Sequence, residues 1–250
     1  MTNIRLTLDS KGIMEYLIIL FALSTLIFIH ELGHFLAGSL VGIPIEIFSV
    51  GFGPKILGIK KGQTEYRISI IPLGGYVLPE IADEQDFYNI TVNKRILFAL
   101  GGPLINIFFA LLLLAAVNIL NSGFNLTNIF IAPLAQTADF LYRFCLSVPG
   151  LFSEPENVSG VVGIVAQGKS LIGTSILGIL GFSAALSLNL AILNFLPIPV
   201  LDGGKIFLYL LEKINPKTIK AQIPLTICGW VFMLIFMIVL TFWDIKRYIL

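Results

Sequence analysis

Charge is scarce in this chain. Of its 250 residues only 12% are Asp, Glu, Lys or Arg, while 56% are hydrophobic, at a mean hydropathy of +0.93. A soluble domain carries about 25% charged residues, so a soluble single-core fold is excluded. A net charge of +1 leaves no basic face for nucleic acid, and no nucleic-acid partner is expected. Cys145 and Cys228 are the only cysteines. They are too far apart for a C-x-x-C site and too few for a disulfide framework, and they read as small buried apolar residues. No charged residue stands between Arg95 and Asp139, between Lys169 and Asp202, or between Lys220 and Asp244. Each gap exceeds the roughly 20 residues that a helix needs to cross the hydrocarbon layer.

What is present is long apolar sequence, read as an α-helical integral membrane protein with about four transmembrane helices. The spans are expected at about Ile13–Val41, Ile96–Ile119, Leu171–Phe195 and Ile223–Phe242, in one polytopic domain covering residues 1–250. Met1–Gly12 is polar, and the apolar run after it has no small-residue cleavage site, so the first helix is expected to stay in the mature protein. Gly38, Gly101, Gly102, Gly178 and Gly181 mark places where membrane helices can approach closely. Lysine and arginine cluster in segments 42–95 and 203–222, which the positive-inside rule places on the cytoplasmic side of a cell membrane, with both termini outside it. Arg5, Lys11, Lys246 and Arg247 count against that orientation.

One connection is apolar without being helical. Between Ile45 and Val77, the alternation around Tyr66, Ile68 and Ile70 reads as a strand, and Pro72-Leu73-Gly74-Gly75 as turn chemistry. A strand edge cannot face lipid, so this hairpin packs on protein, lines a wet cavity or lies at the interface. Its edge either holds an extended peptide by main-chain hydrogen bonds or merely covers the helices.

Histidine is as rare as cysteine, yet the only two lie four apart around a glutamate: His30-Glu31-Leu32-Gly33-His34. Residues i and i+4 share a helix face, so both imidazoles reach one metal ion with Glu31 beside them, the H-E-x-x-H pattern of zinc peptidases. Two histidines placed at random fall four apart in under ~1% of cases, so coincidence is a poor explanation.

A catalytic zinc site takes three protein ligands and keeps a fourth position for water. Asp202 stands out as the third. It is the first charge after a 32-residue uncharged stretch and sits in Asn194-Phe195-Leu196-Pro197-Ile198-Pro199-Val200-Leu201-Asp202-Gly203-Gly204. The prolines break any helix there, and an ionisable group at membrane depth points to a site. The other reading makes Asp202 the N-cap of the amphipathic segment Lys205–Glu212. One zinc ion, two neutral imidazoles and the carboxylates of Asp202 and Glu31 sum to about zero charge, which suits a site held away from bulk water.

His30–His34, Asn194–Gly203 and Gly101-Gly102-Pro103-x-x-Asn106 together resemble the site-2 protease family of intramembrane zinc metalloproteases, with similarity from about Ile13 to Leu250. Thr64–Val77 resembles that family's membrane-associated β-hairpin. Gly160-Val161-Val162-Gly163-Ile164 resembles its G-P-[IV]-G-I stretch, lacking the usual proline. The resemblance implies one zinc ion on His30, His34 and Asp202, with Glu31 as the catalytic base. It implies that Asn194 hydrogen-bonds the oxyanion or the substrate carbonyl, and that Asn106 bonds across helices next to the site. Tyr66, Ile68, Ile70, Gly74 and Gly75 would face the substrate, a transmembrane helix or signal-peptide remnant of another protein in the bilayer.

Many bacterial relatives carry a PDZ domain between the second and third core helices. Here Asn121–Ser170 is too short for one; it offers a helical stretch, Ile129–Leu151, and a polar link, Ser153–Asn157. The helical stretch lies along the membrane surface as a gate or simply packs. Two other classes keep the same ligands: a catalytically silent scaffold or chaperone, which intact Glu31 and Asp202 disfavour, and a metal transporter, which needs a polar path that the second and fourth spans lack.

Overall fold

The computed structural model describes residues 10–80, 89–153, 159–172 and 175–248. The residues before Ser10, Arg5 among them, and the Glu154–Asn157 part of the polar link lie outside the described residues. The described elements are α1 (Ser10–Leu40), β1 (Ile45–Lys61), β2 (Thr64–Pro79), α2 (Val92–Ser122), a π turn (Thr127–Ile131) leading into α3 (Ala132–Ser153), α4 (Val161–Ile172), α5 (Ile176–Asn194), α6 (Asp202–Ile214), a 3-10 turn (Pro216–Thr218) and α7 (Ile219–Tyr248).

Among the described residues, five helical stretches are long and apolar enough to cross a membrane: Ile13–Leu40, Val92–Ser122, Thr127–Ser147, Ile176–Asn194 and Pro216–Tyr248. The expected count of four is therefore not confirmed. The additional stretch, Thr127–Ser147, overlaps the helical segment Ile129–Leu151 expected to lie on the membrane surface or to pack, and it contains Asp139 and Arg143. On the helix these stand four apart and pair at 2.7 Å, which removes two isolated charges from an otherwise apolar stretch. The third expected span is shorter than its sequence suggested, since α4 ends at Ile172 and α5 starts at Ile176. Among the described residues between α2 and α5 there is no strand.

The chain clusters into two compact units. One consists of residues 23–108 and 189–229, the other of residues 1–22, 109–188 and 230–250.

In the first unit, α1 and α2 touch backbone to backbone. A Cβ on Gly33 would collide with the Gly101 carbonyl oxygen, and one on Gly101 with that of Gly33. Without a hydrophobic drive between helices in lipid, such small-residue contacts supply the packing. Gly38 likewise faces the Phe98 ring. The hairpin docks on α1 through Phe48, whose ring stands edge-on to Phe28 and Phe35 at centroid distances of 5.8 and 5.4 Å.

The sheet has two strands, as expected, though both run further and bend. Ile47–Val50 of β1 pairs on one side with Gly75–Leu78 and on the other with Glu65–Ile68, while Leu57–Lys61 pairs with Thr64–Ile68. Gly51 has φ +93°, and a Cβ there would lie 2.7 Å from the Ile71 carbonyl oxygen; only glycine allows this bend. The Gly75–Pro79 arm pairs with β1 along one edge, and among the described residues no strand lies along the other.

The same unit contains a buried ionic cluster. Arg95, only 1% exposed, donates two hydrogen bonds to Glu212 at 3.0 and 2.5 Å and one to the Ile90 carbonyl at 2.9 Å. Gln222 donates to the same Glu212 carboxylate at 2.6 Å, and the guanidinium lies 4.8 Å from the Tyr209 ring centre.

In the second unit, Asp244, fully buried on α7, accepts a 2.7 Å bond from the backbone N–H of Gly163 in the first turn of α4. Asn118 and Gln136 exchange amide bonds at 3.0 and 3.2 Å. Gly178 meets the Ile172 backbone, whereas nothing lies within 4 Å of a Cβ on Gly181, so that position is no close-approach site. Cys145 and Cys228 are exposed, not buried. Both sit on helices apolar enough for the bilayer, where outward-facing residues need only be compatible with lipid.

Candidate metal centre

His30 and His34 lie one turn apart on α1, their rings nearly perpendicular and their Nε2 atoms 3.2 Å apart. Asp202 Oδ2 lies 3.1 Å from His30 Nε2 and 3.2 Å from His34 Nε2. All three residues are buried: 7%, 7% and 4% exposed. Zinc bonds of about 2.0–2.1 Å at tetrahedral angles would set neighbouring donor atoms about 3.3 Å apart. The observed triangle matches one face of that tetrahedron within about 0.2 Å. Two imidazole nitrogens and one carboxylate oxygen, closing on one point, fit zinc.

The remaining polar atom of each residue is held. His34 Nδ1 donates to the Phe98 carbonyl at 2.9 Å. His30 Nδ1 lies 3.1 Å from the Asn106 amide; with the amide oxygen turned to the ring, Asn106 accepts the Nδ1 proton and leaves Nε2 as the lone pair. Asp202 Oδ1 accepts from Lys205 Nζ at 3.4 Å. Burial acts to raise the Asp202 pKa, yet the net shift is downward, toward the ionised form that binds a cation.

Glycines shape the surroundings. A Cβ on Gly102 would collide with His34 Nε2 and lie 2.7 Å from His30 Nε2, so α2 presents bare backbone to the two donor atoms. A Cβ on Gly203 or Gly204 would collide with the backbone of Phe195 or Ile198. The glycine pair thus lets the first turn of α6 fold against the Pro-x-Pro turn and carry Asp202 to the histidines. Leu201 is the N-cap of α6, and Asp202, in the first turn, spends its carboxylate on His30 and His34. The capping alternative is set aside.

The structure brings together some of the expected site residues and not others. Glu31 is half-buried on α1, and Gly75 passes it so closely that a Cβ would lie 2.8 Å from Glu31 Cγ. Gly74 is buried against Phe52. Tyr66 packs on Phe35 and Phe48 at 5.9 and 6.1 Å. It lines, with Leu57, Ile59 and Ile68, an apolar cavity of about 340 Å³ whose walls include neither Glu31 nor the triad. Ile70 is exposed. Asn194 turns back on its own helix, donating to the Leu190 carbonyl at 2.9 Å. Sequence reasoning missed Lys205, the Phe98 carbonyl and the collision that keeps position 102 a glycine. Lys205 had a legible signal, since i and i+3 share a helix face.

A multi-pass helical chain with two histidines and a carboxylate converging beside a glutamate has the donor set of a membrane metallopeptidase. The chain belongs to peptidase family M50, the site-2 protease family, whose model matches residues 18–239. It is 25% identical to a relative from Clostridium acetobutylicum over 328 aligned positions, covering 91% of this chain and 96% of the relative. It is 26% identical to one from Clostridium perfringens over 325 positions, covering 90% and 97%. A relative from Borreliella burgdorferi is 44% identical over 104 residues, 36% of this chain and 24% of its own length. All three carry the provisional name zinc metalloprotease. The first alignment needs 328 positions to cover 91% of a 250-residue chain, so about 100 positions of that relative face gaps here.

Proposed function

We propose that this chain is a zinc-dependent endopeptidase that cuts a locally unwound transmembrane helix or signal-peptide remnant of another membrane protein. The observation that carries the reading is the 3.1–3.2 Å triangle of His30 Nε2, His34 Nε2 and Asp202 Oδ2 with Glu31 next to His30. In this reading those three residues hold one zinc ion, which when bound supplies Lewis acidity, activating water as a nucleophile and polarising the scissile carbonyl. Glu31 takes a proton from the attacking water and returns it to the leaving nitrogen, a general acid–base contribution of roughly 10²–10⁴ in rate. Burial of the triad limits access of bulk water to the reacting groups.

A peptide bond inside a helix is closed to attack, so the substrate must open locally. The Gly75–Pro79 arm supports a way to hold it: among the described residues no strand lies along its edge away from β1, where a peptide could add as a strand, and Gly75 passes close to Glu31. The Asn194 amide would have to leave the Leu190 carbonyl to reach a substrate oxygen. The Lys- and Arg-bearing segments 42–95 and 203–222 are assigned to the cytoplasm. The site supports placing both on one side, because Phe98 and Asn106, which follow the first segment closely, touch the two histidines, and Asp202, which immediately precedes the second, completes the triad with them.

The test is cleavage of a tagged single-span substrate in liposomes by wild type, by Glu31→Gln and with a zinc chelator. Cleavage by wild type that falls at least a hundredfold in both other arms is expected. Cleavage that survives Glu31→Gln overturns the reading. A folded, zinc-loaded protein that cuts no substrate in a panel of helices would favour the scaffold alternative.

A further inference from the structure

Asp202 presents two oxygens to two different environments. Oδ2 faces both imidazoles at 3.1 and 3.2 Å, while Oδ1 faces the ammonium of Lys205 at 3.4 Å, three residues further along α6. The Asp202 side chain is 6% exposed and that of Lys205 42%, so the lysine reaches in from the solvated face of α6 with its stem outside the site. We infer that Lys205 is a positioning residue that keeps Asp202 a one-oxygen ligand and so preserves the open position of the metal centre. This rests on the zinc reading above.

A carboxylate binds a cation through one oxygen or through both. A catalytic zinc site needs its fourth position for water, and a second oxygen of a ligating carboxylate is able to take it. His30 and His34 cannot do so, because each has its other ring nitrogen held, by Asn106 and by the Phe98 carbonyl. Asp202 alone has a spare ligating atom. An ammonium is a compact point charge with three donors and no lone pair to offer a metal, so pairing Oδ1 with Lys205 withholds that atom without adding a competing ligand. The i, i+3 spacing makes the pairing a property of α6 itself.

Loss of Lys205 separates two effects that usually move together. If Lys205 merely steadied Asp202, its loss would weaken zinc binding. If it withholds Oδ1, its loss lets Asp202 bind through both oxygens, and zinc is held as well or better while turnover falls. The experiment uses the full chain in detergent as wild type, Lys205→Met, Lys205→Gln and Lys205→Arg. Zinc affinity is measured by competition with a chromophoric chelator, cleavage at saturating zinc, and the visible spectrum after cobalt substitution. Expected for Lys205→Met and Lys205→Gln are a zinc affinity equal to wild type or up to about tenfold tighter, cleavage reduced about tenfold or more, and weaker cobalt bands from a higher coordination number, with Lys205→Arg restoring most of the wild-type behaviour. Gln, similar in length to Lys, covers the case in which Met perturbs folding. Loss of zinc affinity with cleavage restored by excess zinc overturns the inference, as does an unchanged cobalt spectrum. A wild type that takes up no zinc overturns the parent reading and this one with it, whereas a zinc-loaded wild type with silent Lys205 variants overturns this one alone.

Discussion

Two buried polar clusters lie in the same compact unit, and they are built on opposite plans. Around Arg95 both carboxylate oxygens meet donors: two guanidinium N–H groups face the two Glu212 oxygens, Gln222 adds a third bond, and the cation lies over the Tyr209 ring. Charge cancels within the cluster, so burial is tolerated and nothing further is required. Around His30 the three inner atoms are nitrogen and oxygen acceptors turned toward one point, while the groups that steady the histidines and Asp202 stand behind them. Burial of ionisable groups near a membrane therefore does not by itself mark a site. Convergence of lone pairs does.

The contrast can be broken most strongly at the closed cluster. Glu212→Ala leaves Arg95 buried without its carboxylate and should cost about 3–5 kcal/mol of stability, read by unfolding in mixed micelles. Zinc uptake by the variant that remains folded should match wild type. The paired change Arg95→Met with Glu212→Leu should recover most of the loss, because it leaves no unpaired charge. A single variant that loses zinc at full stability would erase the distinction between the clusters.

A somewhat smaller effect sharpens the other side. Gly102→Ala removes no ligand, yet its methyl group would occupy the space at His34 Nε2 and His30 Nε2. The rings are tied to Phe98 and Asn106 and cannot yield without losing the triangle, so zinc affinity measured by chelator competition should fall about 10–100-fold. Unchanged affinity would mean that the imidazoles sit differently from the arrangement described.

The smallest effect is on pH dependence. Burial raises the Glu212 pKa, but the bonds from Arg95 and Gln222 outweigh it, and the net shift is downward. The folded pKa lies below the unfolded one, so this contribution is fully present above the unfolded carboxylate value and is lost as pH falls through the folded pKa. Stability of wild type should therefore drop in acid more steeply than that of Glu212→Gln, as followed by unfolding at a series of pH values.

Much of the site was legible in the sequence because its signals are local or rare. The two histidines declare a helix face by their spacing, and Asp202 declares itself by ending a long uncharged run between turn residues. Asn106 was expected to bond across helices beside the site, and it lies against His30. The hairpin was visible as alternation, but Pro72–Gly75, expected as turn chemistry, lies within β2, and the chain turns at Gly62 and Gln63 instead. The hairpin's double-sided pairing around Ile47–Val50 was not visible, since register between distant arms depends on the bend at Gly51 rather than on any local pattern. The Arg95–Glu212 pair joins residues 117 apart, and neither residue signals its partner; Arg95 read only as a topology charge. Asp139 and Arg143, two charges in sequence, act as one neutral pair on a helix. Asn194 lay within a recognisable motif, but a motif does not specify a rotamer, and here its amide faces Leu190.

The most direct measurement of the central claim is the zinc content of the purified full chain as wild type, Glu31→Gln and Asp202→Ala, by elemental analysis after removal of loosely bound metal. The account predicts one zinc per chain in wild type and in Glu31→Gln, and essentially none in Asp202→Ala. An Asp202→Ala protein that keeps its zinc, or a Glu31→Gln protein that loses it, would contradict the assignment of the three ligands and the base.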